Sequence, residues 1–283
     1  MKKDPSHLSL LKKAADILKR HWAGVAVGIA VGVAGNSCYA WIGGILHPRY
    51  EVGAVITLGR YEQDNNEKNG PEPVEWYVIS RKDDNTCLLL SRYILDAKAY
   101  NDVREPVSWE TCSLRAWLNG EFAENAFTGK ELKRIVRANV ENPSNRKTGT
   151  EGGNATLDTV FLLSADEAEH CLTREIAFGI STDYAFWKGA RTFDPGAARK
   201  TDSDYIVSHT LTSESGTKTE LPSIITKECF WTLRTPGYSQ EMVSRIFNST
   251  YSEVFSGIGA FVDDDGVMVD GTLGVRPALW YRP

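Results

Sequence analysis

The sequence predicts an α+β fold: a single extracellular domain standing behind one N-terminal transmembrane helix. Three observations predict it. Residues 22–46 form a run of 25 positions without Asp, Glu, Lys or Arg. Residues 51–283 alternate short apolar or β-branched runs with short capped helical stretches. No period long enough for a repeat array interrupts that pattern. The whole chain has 283 residues, 42% hydrophobic and 24% charged. That composition belongs to a packed globular protein and excludes a largely disordered or collagen-like chain.

The uncharged run, as a helix, would be about 37 Å long, more than the roughly 30 Å hydrocarbon core of a bilayer. Residues 1–21 carry six Lys/Arg against Asp4 and Asp16, a net of +4 within a chain of net charge -5. The other 262 residues therefore carry -9. Basic residues on the N-terminal flank place that flank in the cytoplasm and residues 47–283 outside the cell. Trp22 and Trp41 sit near the two ends, where aromatic rings favour the interface. An uncleaved signal anchor and a cleaved signal peptide both remain open. Cys38-Tyr39-Ala40 resembles a small-x-small cleavage site, whereas the long basic region and the apolar residues past Ala40 favour the anchor. Gly24, Gly28 and Gly32 repeat a G-x-x-x-G step, the spacing of a helix dimer seam, though glycine is also simply common in such helices. The short basic segment suits the anionic inner leaflet.

Outside the membrane, residues 54–61, 75–80 and 86–91 read as strands. Residues 83–85 read as the turn joining the second and third. Residues 108–119 read as a helix with Trp109, Cys112, Ala116 and Trp117 on one stripe and Gly120 as its stop. Thr128 and Glu131 form a capping box for a helix through about Arg137. Ser164 and Glu167 form a second, opening a helix to about Leu172 after a strand at 160–163. Residues 141–156 and 188–223 read as loops, the second interrupted only at 205–207. Residues 230–233, 260–262, 267–269 and 275–281 read as closing strands.

These stretches together resemble the bacterial family named domain of unknown function 6273. The likeness is carried, in order, by Leu58-Gly59-Arg60-Tyr61, Val74-Glu75-Trp76-Tyr77-Val78, Leu89-Leu90-Ser91, Tyr100-Asn101 and Leu114-Arg115-Ala116-Trp117-Leu118-Asn119. It continues through Phe161-Leu162-Leu163-Ser164, Thr182-Asp183-Tyr184-Ala185, Trp231-Thr232-Leu233-Arg234-Thr235-Pro236-Gly237 and Gly274-Val275-Arg276-Pro277-Ala278-Leu279. The chain departs from the family's usual aromatic pair before Leu-Arg, since Thr232 follows Trp231. The resemblance implies secreted or surface proteins without an established activity. The ending is similar to the formylglycine-generating-enzyme branch of the C-type-lectin-like fold, which implies a lectin-like domain.

The chemistries of that branch lack their local signatures here. The five cysteines, Cys38, Cys87, Cys112, Cys171 and Cys229, include no pair within 20 residues of each other. The three histidines beyond the membrane segment, His47, His170 and His209, stand apart, so no zinc or iron spacing appears. There is no Gly-x-Ser-x-Gly elbow and no phosphate-cradling loop. The four cysteines outside read either as buried free thiols or as disulfides of unassignable pairing. The net charge excludes a basic nucleic-acid-binding face across the chain.

Candidate site residues remain. Asp263, Asp264 and Asp265, with Asp270 beyond, offer carboxylates for calcium, while the reading the residues favour is a tight hairpin turn at Asp265-Gly266. Arg234 and Arg276 read either as anion-binding arms or as internal bridges to backbone carbonyls. Trp187 and Tyr238 are candidate ligand contacts beside the loops at 188–223 and 236–257. No cofactor other than calcium is expected. The sequence thus points to a membrane-anchored binding domain for a glycan, peptide or protein. An extracytoplasmic enzyme and a structural or adhesion subunit, homodimeric through the glycine seam, are the alternatives.

Overall fold

The computed structural model describes residues 49–82, 84–190, 192–194, 205–212, 218–226, 229–249 and 259–283. Tyr50–Arg282 form one compact unit. Among the described residues no helix is long and apolar enough to cross a membrane. The span expected at 22–46 and its glycines Gly24, Gly28 and Gly32 lie outside the described residues.

Two five-stranded sheets organise the unit. The first runs in the order β1 (Val55–Tyr61), β2 (Glu72–Arg81), β3 (Cys87–Ser91), β15 (Ala278–Tyr281), β5 (Ile135–Val136), all antiparallel. Its centre is apolar on both faces: every residue of β3 is buried. The C-terminal strand therefore closes the sheet that the N-terminal strands open. The second sheet runs β13 (Gly259–Met268), β12 (Met242–Ser249), β11 (Trp231–Pro236), β14 (Thr272–Val275), β4 (Asp96–Ala99). Only β11 and β14 pair in parallel within it. β6 (Ala138–Val140) and β7 (Thr156–Asp158) make a small ribbon.

Large aromatic side chains fill the core, and each buried indole N–H finds an acceptor, as burial demands. Trp76 donates to the Leu58 carbonyl at 2.7 Å, Trp109 to the Asp158 carboxylate at 2.8 Å and Trp231 to the Ala177 carbonyl at 2.9 Å. Both predicted capping boxes are present. Thr128 and Glu131 start α3 (Gly129–Leu132), and Ser164 and Glu167 start α4 (Ala165–Cys171).

Several elements differ from the sequence expectation. The helix expected from Ser108 begins at α1 (Ser113–Trp117), capped by Cys112, and Trp109 precedes it. Gly120 does not stop it. A π-helical turn (Leu118–Phe122) carries the chain into α2 (Ala123–Ala126), because Phe122, Ala123 and Ala126 continue the buried stripe. The helix from Thr128 ends at Leu132, since Ile135 and Val136 are recruited to the edge of the first sheet. Residues 160–163 are buried but pair only at Phe161, through a bridge to Ala278. The expected loop at 188–223 contains β8 (Thr192–Asp194), β9 (Tyr205–Thr212) and the start of β10 (Lys218–Thr226), which form a three-stranded sheet. Threonines and β-branched residues there favour extended backbone over loop. The expected loop at 236–257 contains β12.

The hairpin turn expected at Asp265-Gly266 is replaced by a bulge in one continuous strand. Val267 pairs with Val243 and Asp263 with Arg245, so Asp264, Asp265 and Gly266 face the single residue Ser244. An Asp-Gly step supplies the positive φ that either a turn or a bulge needs, and the neighbouring strand decides between them. Gly266 has φ +72°, and a Cβ there would lie 2.2 Å from the Val243 oxygen. Gly266→Ala should therefore lower stability by about 2 kcal/mol or more, read as a lower urea midpoint at unchanged slope. An unchanged midpoint would show that the bulge is not fixed by this glycine.

Candidate functional site

The candidate site is a cleft of about 320 Å³ where four elements meet. Ser144, Arg146 and Lys147 come from the loop after β6, and Ala165, Asp166 and Glu169 from α4. Thr235 comes from β11 and Asp264 from the β13 bulge.

Local chemistry fixes each wall. The loop is pinned by Asn145, which is 1% exposed. Its amide donates to the Pro236 carbonyl at 2.8 Å and to the Asp264 carbonyl at 2.9 Å. Its side-chain oxygen accepts from the backbone of Lys147 at 2.9 Å and Thr148 at 3.1 Å. One buried amide thus joins the loop, the end of β11 and the bulge, and presents Arg146 and Lys147 outward. α4 is held by its capping box and by Thr235, whose hydroxyl accepts from the Ala165 backbone at 2.9 Å. Arg146 pairs with Asp166 at 2.7 Å and Glu169 at 3.7 Å. Lys147 pairs with Asp265 at 2.8 Å, a contact that raises the affinity of the ammonium for its proton. Asp264 is held above the usual carboxylate range, first by burial and then by the nearby Glu169 charge.

Tyr238 lies three residues beyond Thr235 and, among the described residues, is not one that lines the cleft. Its backbone N–H donates to the Asp265 carbonyl at 3.0 Å, and its own carbonyl accepts from the Thr150 hydroxyl at 2.9 Å. Its side chain is nevertheless 71% exposed. A large ring held outward by a bonded backbone is an unusual use of apolar surface. Trp187, 56% exposed, ends α6 (Asp183–Lys188) and packs edge-on against Phe186. It is not among the residues lining the cleft. Its neighbour Lys188 pairs with the buried Asp96 at 2.9 Å, which also accepts from the Tyr61 hydroxyl at 2.6 Å.

Arg234 and Arg276 point inward. Arg276 is fully buried and stacks on Trp231 at 5.1 Å. It donates to the carbonyls of Ser91 at 2.8 Å, Arg92 at 3.1 Å and Ile176. Burial pushes its guanidinium down to about 9, which leaves it charged at neutral pH. Arg234 donates to the Glu141 carbonyl at 2.9 Å, to the Leu162 carbonyl and to Glu167. Both therefore bridge backbone carbonyls, the internal alternative of the sequence reading, and neither guanidinium reaches solvent as a ligand-binding arm.

The acidic run is divided rather than gathered. Asp263 pairs with Arg245 at 2.9 Å, Asp265 with Lys147, and Asp270 is exposed at the turn before β14. Arginine and lysine thus engage two of the four carboxylates. The closely set carboxylates among the described residues are Glu62, Asp64 and Glu72, each offering an oxygen within 4.8 Å of the others. Sequence reasoning missed them because Glu72 joins the pair only through the β1–β2 hairpin. It missed the cleft for the same reason: Arg146 and Asp264 meet only in the fold. The cysteines Cys87, Cys112, Cys171 and Cys229 form no disulfide with one another, and burial pushes Cys112 and Cys229 up to about 12. His170 is exposed, with Nδ1 2.7 Å from the Asp166 carbonyl.

Two outcomes follow. Arg276→Met leaves three buried carbonyls without their donor and should cost about 3 kcal/mol, measured by urea unfolding; a loss below about 1 kcal/mol would show that water replaces the guanidinium. Asp264 titrates above its ordinary 3.8 in the fold, so the fold binds its proton more tightly than the unfolded chain does. The stability it contributes is present below 3.8 and lost as pH rises through the folded value. Asp264→Asn should therefore raise the urea midpoint at neutral pH, and the advantage should vanish on acidification below 3.8. A variant less stable than the parent at neutral pH would contradict the burial argument.

No curated protein and no solved structure matches the chain. A family profile described as domain of unknown function (DUF6273) matches residues 84–283. That stretch includes β3, both buried arginines and every wall of the cleft, and the chain belongs to this family.

Proposed function

We propose that the protein is a membrane-anchored bacterial surface protein whose α+β domain, lectin-like in build, binds a glycan outside the cell at the cleft beside Tyr238. The observation that carries the reading is the exposed Tyr238 ring, whose backbone is bonded to Asp265, the neighbour of the Asp264 that lines the polar cleft. Sugars present apolar C–H faces and rings of hydroxyls. An outward aromatic supplies a platform for the face, and fixed carboxylates and donors supply partners for the hydroxyls. The cleft's walls are held by Asn145, the α4 cap and the bulge, so little ordering is needed on binding. Its volume, about 320 Å³, is in the range that holds a small ligand. The uncharged run at 22–46 and its basic flank support the anchored, outward-facing placement.

The test is a glycan and peptide array probed with the full-length chain, with and without calcium. Glycan binding should appear in both conditions and be lost in Tyr238→Ala, whose urea midpoint should match the parent. Binding to peptides alone, or to nothing under either condition, would refute the glycan reading. Binding only with calcium would move the site to Glu62, Asp64 and Glu72.

A further inference from the structure

One end of the first sheet gathers positive charge on a negative domain. Strand register sets Arg81 of β2 beside Cys87 of β3, Cys87 beside Tyr281 of β15, and Tyr281 beside Ile135 of β5. The residues flanking that row therefore leave the sheet at the same end. Arg81 ends β2 and Lys82 follows it, Arg282 follows β15, and Lys133 and Arg134 precede β5. All five are exposed. The Arg282 backbone N–H donates to the Arg134 carbonyl at 2.9 Å, which ties the last two together. The acids here are Glu51, paired with Arg81 at 3.3 Å, and Asp84, paired with Arg282 at 3.1 Å, with Asp83 next in sequence. These eight side chains sum to +2, within a stretch, residues 22–283, that carries -9. The other cations rest on aromatic rings. The Lys82 ammonium lies 4.1 Å from the Trp280 ring and the Arg134 guanidinium 5.4 Å from the Tyr281 ring. Val52, in the turn before β1, is 61% exposed. Cations, aromatic rings and an outward aliphatic side chain are the mixture found at a bilayer interface.

The chain also enters the unit at this end, because Glu51 pairs with Arg81. Leu46, the last residue of the uncharged run, precedes Glu51 by five residues. Five extended residues span at most about 18 Å, whereas a globular unit of this length is about 45 Å across. We propose that this end of the first sheet docks on the bilayer surface, with Lys82, Lys133 and Arg134 against anionic lipid headgroups; this rests on the anchored placement proposed above. Headgroup charge acts on Lys and Arg within a Debye length, about 8–10 Å. The tether holds the patch at high effective concentration over the lipid, so a modest surplus of charge suffices. None of these residues lines the cleft, so docking leaves its walls open to a ligand.

The test is lysine acylation footprinting of the full-length chain, read by mass spectrometry. The chain is reconstituted in vesicles of phosphatidylcholine alone or of equal parts phosphatidylcholine and phosphatidylglycerol. Lys68, exposed in the loop at the other end of β1 and β2, is the internal reference. Relative to Lys68, Lys82 and Lys133 should react at least about fivefold more slowly on the anionic vesicles. Salt at about 0.5 M should erase the difference. Arg134→Glu combined with Arg282→Glu should erase it as well; if that variant fails to fold, the lipid and salt comparisons on the parent decide. Equal reactivity on both vesicles, with the protein retained through an alkaline carbonate wash, would overturn the docking and leave the anchor standing. Release by that wash would overturn the anchored placement, and the docking with it. Protection by soluble polyphosphate in neutral detergent, with none on anionic vesicles, would overturn the lipid assignment in favour of an anionic polymer.

Discussion

Two buried guanidinium groups hold together the parts of this fold that the sheets do not. A buried carbonyl must be paired, and ordinarily a ladder or helix does it. Here much of the buried backbone runs outside either. Residues 160–163 are nearly inaccessible yet meet strands through backbone bonds only at Phe161, to Ala278, and at Leu163, from Arg234. Ser91 and Arg92 leave the end of β3, and Ile176 lies in the short α5 (Arg174–Ala177). Arg276 takes the carbonyls of those three, and Arg234 takes those of Glu141 and Leu162. Arginine suits this because its fork of donors is planar, permanently charged and less strongly hydrated than an ammonium. Arg276 shows the limit of that use: it rests on Trp231 and on carbonyl dipoles, so each lost carbonyl is felt in full.

The cleft inherits its geometry from the same network. Glu167 closes the capping box of α4 and accepts from Arg234. The helix start is thereby fixed to the strand that also carries Thr235. Asp166 and Glu169, on the same helix, line the cleft. Asn145 does for the loop what Arg234 does for the helix, tying it to Pro236 at the end of the same strand. Loop, helix and bulge are thus all referenced to β11. A site placed on rigid elements through buried polar contacts keeps its shape without a ligand, and the ordering cost on binding falls accordingly.

Much of this was legible where the determinant is local. The boxes at Thr128 and Ser164 need only residues three apart, and both form. The sequence leaves Arg234 open between a ligand-binding arm and an internal bridge, and the fold takes the bridge. Nonlocal determinants were not legible. Gly120 looks like a helix stop, but Phe122 and Ala126 are buried against other parts of the unit and continue the helix through a π turn. Asp265-Gly266 looks like a hairpin, but β12 pairs with residues on both sides of it. Residues 208–212 and 218–223 look like loop because their alternation is weak, and pairing between β9 and β10 makes them strand. In each case the local signal was real, and a partner distant in sequence chose among the conformations it allows.

Those distant partners also explain why the acidic run divides. Asp263 is set opposite Arg245 by strand register, and Asp265 is set opposite Lys147 by the Asn145-pinned loop. The bulge leaves Asp264 between them, lining the cleft, without a cation of its own. The fold there carries a carboxylate with raised proton affinity among other carboxylates. That is a local cost in the folded chain, set by burial and by the neighbouring Glu169 charge. Groups held in an unfavourable state by a rigid frame mark sites of interaction more often than sites of packing.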